Sequence, residues 1–266
     1  MYFDVLWKEF AKLLEVEAIA LGGSRAGAVY DEKSDYDLYI YCNGIPSESV
    51  RKSILEKCCR YMEVGNSFWE LEDDCTLKNG IDIDILYRNL DDFAQTIHSV
   101  IDEHIAYNGY TTCMWHNLLN CKILFDKHGK LETLQSKYRI EYPNELRDNI
   151  VGKNMRLLTG NLPSYDAQIK KAFARNDMVS VNHRTAAFLE SYFDIIFALN
   201  KLTHPGEKRM VRYATEKATI LPADFESNLN KLFENLFADS AKVAQTLQDM
   251  VAALQEAIAN SDVNQK

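Results

Sequence analysis

The sequence predicts an α+β fold, with strands and their connections over the first half of the chain and a helical bundle over the second. Three observations carry this. Short apolar or alternating runs ending at glycines or turn residues recur as far as Asp126. Strand-like runs stop near Tyr138. Beyond it, apolar residues return at helical spacing between Pro, Gly and Asp punctuation. The division gives a first domain over 1–138 and a helical-bundle domain over 139–266.

Each element follows in chain order. Met1–Phe10 reads as an amphipathic helix; it lacks a basic n-region and carries acids early, which makes it a poor signal peptide. Ala18-Ile19-Ala20-Leu21 is a buried strand that stops at Gly22-Gly23. Val29 to Ser34 is a loop. Asp35-Tyr36-Asp37-Leu38-Tyr39-Ile40-Tyr41 is a second strand, rich in aromatic and branched residues. Gly80 to Tyr87 is a third, with Ile81, Ile83 and Ile85 on one face and Asp82 and Asp84 on the other. Lys122 to Gly129 is a short strand ending in a turn. Helices follow from Pro143-Asn144-Glu145 to Leu158, over Tyr165 to Arg175, and from Asp177 to Leu199, with two more over Pro222 to Ala259. Ser261 to Lys266 reads as a frayed tail.

Bulk composition is that of a globular protein: 266 residues, 47% hydrophobic and 26% charged. No apolar run is long enough to span a membrane. The six cysteines show no paired metal spacing, and Cys58-Cys59 fall in a helical pattern. With no export signal, reduced thiols and a cytoplasmic location are expected. His98 and His104 lack the spacing of a helical zinc pair.

The chemistry-bearing residues lie in the first half. Glycine lets backbone approach a ligand and exposes N–H groups to phosphate oxygens, so Gly22, Gly23 and Ser24 form a candidate phosphate turn, to which Arg25 adds charge. Asp35 and Asp37, two apart on a strand, face the same way about 6–7 Å apart. Like charges that close are unfavourable without a cation, and magnesium takes oxygen ligands. Asp84 is favoured over Asp82 as a third carboxylate because it lies deeper in its apolar run.

Gly22-Gly23-Ser24-Arg25-Ala26, Ser34-Asp35-Tyr36-Asp37-Leu38 and Ile83-Asp84-Ile85 together resemble the signature of the DNA polymerase beta-type nucleotidyltransferase superfamily. The first half is most similar to small bacterial members related to aminoglycoside and lincosamide nucleotidyltransferases. The resemblance implies a mixed sheet flanked by helices, two magnesium ions, and transfer of a nucleoside monophosphate from a triphosphate, ATP being the common donor. It assigns Asp35, Asp37 and Asp84 to the metals, and Gly23 and Ser24 to the triphosphate; Gly22, Arg25 and Ser34 are further nucleotide-binding candidates. The turn departs from many relatives in carrying Gly27 followed by Ala28 where they carry glycine. Lys208, in Pro205-Gly206-Glu207-Lys208-Arg209, reads either as a solvated loop lysine or as a further triphosphate contact.

The acceptor is expected to be a hydroxyl. Candidate general bases are Asp177, Glu190 and Asp194, with Glu190 preferred; the third metal carboxylate is the alternative. Net charge is −9, with no Lys/Arg-rich block, which disfavours a nucleic-acid partner. The acidic run Glu70, Glu72, Asp73 and Asp74 reads as a solvated loop or as a cleft wall attracting a polycation. The expected acceptor is therefore a small molecule such as an aminoglycoside. The alternatives are a protein or RNA acceptor, as in toxin–antitoxin systems, and a nucleotide-binding module without catalysis.

Overall fold

The computed structural model describes residues 1–27, 34–67 and 70–263. Most of the Val29–Ser34 loop, and Ala28, lie outside them. The chain divides into two compact units. One holds Met1–His98 and Asn117–Ile140; the other holds Ser99–His116 and Glu141–Lys266.

The first unit runs α1 (Tyr2–Phe10), β1 (Val16–Leu21), α2 (Gly23–Ala26), β2 (Tyr36–Cys42), α3 (Glu48–Cys58), β3 (Cys59–Asn66), β4 (Glu72–Leu77), β5 (Asp82–Asn89), α4 (Leu90–Ile101), α5 (Cys113–Asn120), β6 (Lys122–Asp126) and α6 (Lys130–Lys137). Helices α4 and α5 each run from one unit into the other. The six strands form one sheet in the order β3-β4-β5-β2-β1-β6. β2 and β5 are parallel and every other pair is antiparallel. This is the mixed, helix-flanked sheet that the resemblance implied.

Strand alternation sorts the two faces. Leu38 and Ile40 of β2 and Ile83 and Ile85 of β5 are buried with Leu6 and Phe10 of α1 and Ile54 and Leu55 of α3. Phe3 stacks on Tyr36 with centroids 4.1 Å apart. On the other face, Phe93 of α4 lies 5.2 Å from Tyr41. There the Arg88 guanidinium sits 4.3 Å over the Tyr39 ring. It donates to both oxygens of Glu70, at 2.6 and 2.8 Å, and to Asn117 Oδ1 at 3.2 Å.

The acidic run is not a loop. Glu72, Asp73 and Asp74 open strand β4, and the run alternates half-buried and buried positions. Asp73 points into the core side, fully buried, because three donors meet it there. Arg51 of α3 forms an ion pair with it, the Gly65 N–H donates at 2.9 Å, and the Tyr87 hydroxyl donates at 2.8 Å. A second expectation also changes: Cys58 ends α3 while Cys59 starts β3, so the pair straddles a helix–strand junction.

The second unit is helical: α7 (Asn144–Leu158), α8 (Tyr165–Ala174), α9 (Met178–Leu199), α10 (Met210–Lys217), α11 (Phe225–Asn235) and α12 (Ser240–Val263). α9 is its axis. Val181, Phe188, Tyr192, Ile195, Ile196 and Leu199 are buried with Leu229 and Leu232 of α11 and Leu247, Met250 and Leu254 of α12. The frayed tail expected from Ser261 is instead helix as far as Val263. Among the described residues, no helix is long and apolar enough to cross a membrane.

Removing one partner of a buried ion pair leaves the other charge uncompensated. Asp73→Ala is therefore expected to cost about 3–5 kcal/mol, as in other broken buried pairs. The combined Arg51→Met, Asp73→Leu change should cost less than Asp73→Ala alone. Urea unfolding of the three proteins measures both.

Candidate active site

The site grows from the pairing of β2 with β5. In this parallel register Asp37 lies directly beside Asp84. In the antiparallel register of β4 with β5, Asp74 lies directly beside Asp84 from the other side. Paired residues on neighbouring strands share a face. Asp37, Asp84 and Asp74 therefore form one row across three strands, on the face opposite Ile83 and Ile85. Continuing the β2–β5 register backward puts Asp35 level with Asp82.

The glycine turn closes one end of this row. The Gly22 N–H donates to the Asp37 carbonyl at 2.8 Å. Gly23 has φ +56, and a Cβ built there would stand 2.6 Å from Asp37 Cγ and closer still to its Oδ2. A Cβ on Gly22 would stand 3.0 Å from Cζ of Tyr39 and nearer still to its Cε2. The Asp37 carboxylate and the Tyr39 ring thus occupy the space that side chains at 22 and 23 would fill. Gly22 is buried, while Gly23 and Ser24 are exposed. The Gly-Gly sequence is a packing requirement of the site as well as a turn signal.

The other predicted nucleotide residues divide. Arg25 is buried; its Nε donates to the Ser34 carbonyl at 2.6 Å, and its guanidinium lies 4.1 Å over the Tyr36 ring. Tyr36 belongs to the core face, so Arg25 ties the turn to the start of β2. Lys208 is exposed in the segment before α10 and belongs to the second unit, as does Glu190. The structure thus groups Gly22, Gly23, Ser24, Arg25, Ser34, Asp35, Asp37 and Asp84 within the first unit.

Electrostatics mark the row as crowded. Asp84 is half-buried, and its carboxyl is pushed up to about 6, first by burial and then by Asp37, Asp74, Asp35 and Glu72. Asp82 is exposed and accepts the Thr76 hydroxyl at 2.8 Å. A cation is the natural relief for several carboxylates facing one space. Among the described residues, no three His, Cys, Asp or Glu side chains gather closely enough to hold a metal by themselves. Magnesium does not require such a cage; it is usually held by one or two carboxylates together with phosphates and waters. The hard oxygen donors of Asp37 and Asp84, adjacent in register beside an exposed glycine turn, fit that mode.

The second-unit acids show different characters. Asp177 is the N-cap of α9: it accepts the Ser180 N–H at 3.0 Å and the Ser180 hydroxyl at 2.6 Å. Glu190 is half-buried and raised by burial. Gly109, at φ +88, packs against it so closely that a Cβ would stand 2.8 Å from the Glu190 Cβ. Asp194 is 1% exposed. It accepts from the Thr111 N–H at 3.1 Å, the Thr111 hydroxyl at 2.7 Å and Asn154 Nδ2 at 3.2 Å. It fastens the Ser99–His116 segment to α7 and α9.

Comparison with known proteins adds the following. A family model described as a domain of unknown function, DUF4037, matches residues 111–210. No curated protein matches the chain. Among solved structures, a nucleotidyltransferase-like protein from Exiguobacterium sibiricum 255-15 is similar at 11% identity and TM-score 0.44, covering 97% of this chain and 74% of that one. An aminoglycoside 6-adenyltransferase from Bacillus subtilis is similar at 11% identity and TM-score 0.29, covering 96% and 90%. A Thermotoga maritima CCA-adding enzyme, complexed with tRNA, is similar at 10% identity and TM-score 0.26, covering 97% and 80%.

Two outcomes are expected. A non-glycine residue in the left-handed region costs about 1–2 kcal/mol, so Gly23→Ala should lower stability by that order and displace the Asp37 carboxylate. Gly152→Ala, in the interior of α7 with open space around it, should instead stabilise by about 0.5–1 kcal/mol. Paired thermal melts test the contrast. Separately, burial raises Asp194 to about 6 in the folded state, against the hydrogen bonds that lower it. The native form therefore binds the proton more tightly than the unfolded chain, and this contribution is greatest below the usual carboxylate range and is lost as pH rises toward 7. The stability of the wild type relative to Asp194→Asn should fall by about 2 kcal/mol between pH 4 and pH 7, measured by denaturant unfolding across that range.

Proposed function

We propose that the chain is a magnesium-dependent nucleotidyltransferase that moves a nucleoside monophosphate, AMP from ATP, to a hydroxyl on a small molecule. The observation that carries this is the register of Asp37 with Asp84, with the Gly23 backbone packed against the Asp37 carboxylate. That arrangement supports a triphosphate held at the exposed Gly23–Ser24 turn, with its α-phosphorus toward the carboxylate row. Asp35, Asp37 and Asp84 would hold two magnesium ions. When bound, the ions neutralise phosphate charge and make the acceptor hydroxyl easier to deprotonate.

The chain's own part is positioning. Gly22 and Gly23 let the turn pack directly against the Tyr39 ring and the Asp37 carboxylate, which sets the exposed Gly23–Ser24 backbone beside the carboxylate row. Arg25 keeps the turn fixed to the start of β2. Arg88, locked by Glu70, braces the Tyr39 ring behind Gly22. Holding reactants in line and placing charge where it develops are large contributions to such transfers. The acceptor reading rests on net charge: an acidic chain whose β4 adds Glu72 and Asp74 to the site face suits a cationic small molecule such as an aminoglycoside better than a polyanion. The six cysteines are free, which fits a reducing, cytoplasmic setting.

Uptake of a non-hydrolysable ATP analogue should require magnesium, because the cation's shell needs both protein carboxylates and phosphates. Isothermal calorimetry with and without the metal checks this. Asp37→Ala and Asp84→Ala should lose transfer of label from α-labelled ATP by about 10³-fold or more while keeping a native circular dichroism spectrum. Incubation against aminoglycosides, lincosamides, RNA and protein fractions identifies the acceptor. Label on a macromolecule would overturn the small-molecule reading, and full activity in either variant would refute the site.

A further inference from the structure

The sheet gives the site a direction. Across it, in order, stand the glycine turn after β1, Asp37 on β2, Asp84 on β5 and Asp74 on β4. Neighbouring strands are about 4.7–4.9 Å apart, so Asp74 lies roughly 10 Å from Asp37, on the side away from the turn. A triphosphate seated on Gly23 and Ser24 fills the Asp37 end. The oxygen that attacks its α-phosphorus in line must come from the opposite side, and Asp74 is the first carboxylate there; Glu63, beside it on β3, is one strand further out, exposed, and accepts the Tyr61 hydroxyl. Asn66 Nδ2 donates to Asp74 Oδ2 at 2.8 Å and orients the group. β4 is pinned beneath it by Asp73, whose ion pair with Arg51 lies on the other face. Glu72 shares the Asp74 face but stands beside Leu86, one step out of the row.

We infer that Asp74 is the acceptor-side catalytic residue: it accepts the hydrogen bond of the attacking hydroxyl and then its proton. This rests on the nucleotidyltransferase reading above. In the step, the hydroxyl oxygen forms a bond to the α-phosphorus while its proton passes to the Asp74 carboxylate. The bond from the α-phosphorus to the bridging oxygen breaks, and that electron pair leaves with pyrophosphate. The base then lies in the same unit as the phosphate turn, and neither Glu190 nor Asp194 is needed for it. Asp194 is fully engaged by Thr111 and Asn154.

The test uses the full chain, with manganese and α,β-methylene ATP for binding and with water as the acceptor for turnover of ATP to AMP and pyrophosphate. Asp74→Asn should lower kcat for AMP formation by about 10²-fold or more. It should leave the KM for ATP and the manganese-dependent uptake of the analogue within about twofold, whereas Asp84→Asn loses that uptake. Asp74→Glu, which keeps the carboxylate, should recover part of kcat. An Asp74→Asn protein with wild-type kcat overturns the inference, as does one that loses analogue uptake in the manner of Asp84→Asn, or a wild type that takes up the analogue but forms no AMP. A wild type with no manganese-dependent uptake refutes the underlying reading itself, a result separate from the other three.

Discussion

The parallel pairing of β2 with β5 is the constraint on which the rest of this protein depends. Those two strands are the centre of the sheet, and their register brings Asp37 and Asp84 side by side from positions 47 residues apart in sequence. A parallel pair cannot be joined by a tight turn. The intervening chain supplies α3, which covers the core face, and the β3–β4 hairpin, which extends the sheet on the far side of β5. A shift of one residue in the pairing would turn Asp84 into the core and Ile85 into the site. The isoleucines at 83 and 85, buried against α1 and α3, hold the register.

The two faces of the sheet do opposite work. One is an apolar core sealed by α1 and α3, with the buried ion pair of Arg51 and Asp73 set in it. The other is covered by aromatic and arginine packing at the Tyr39–Tyr41 end and carries carboxylates at the other. Arg88 and Glu70 neutralise each other where the face is covered. Where it carries Asp37, Asp84 and Asp74, like charges crowd together and, with burial, raise the Asp84 carboxyl. The second unit is built differently. Its buried carboxylate, Asp194, is met by donors from Thr111 and Asn154, and its task is to hold a segment of the first half of the chain in place.

The local signals were strong where one strand or one turn decides the outcome. Gly22-Gly23 ends β1 because the residues that follow must approach Asp37 and Tyr39 too closely for a Cβ. The Ile-Asp-Ile-Asp alternation of β5 separates faces whatever its partners. The caps and periods of α7, α8 and α9 are local features, and those helices form where their patterns lie. The signals failed for β4, whose acidic start reads as a solvated loop or cleft wall, and for β3, whose first residue reads as helical. Their strand character comes from what they meet: Asp73 finds Arg51, Tyr87 and Gly65 only once α3 and β5 are in place. The packing of Arg25 was likewise hidden, since Tyr36 and the Ser34 carbonyl meet its guanidinium only in the fold.

By itself the sequence determined that a strand stops at Gly22-Gly23 and another runs on from Tyr36, the two-faced character of β5, and the change to helices after Tyr138, because each rests on spacing within one segment. Only the tertiary structure decided that Asp74 joins the carboxylate row and that Ser99–His116 belongs with the helical unit. Those depend on contacts between residues far apart in the chain, and periodicity within a segment holds no record of which partner a strand or loop will meet.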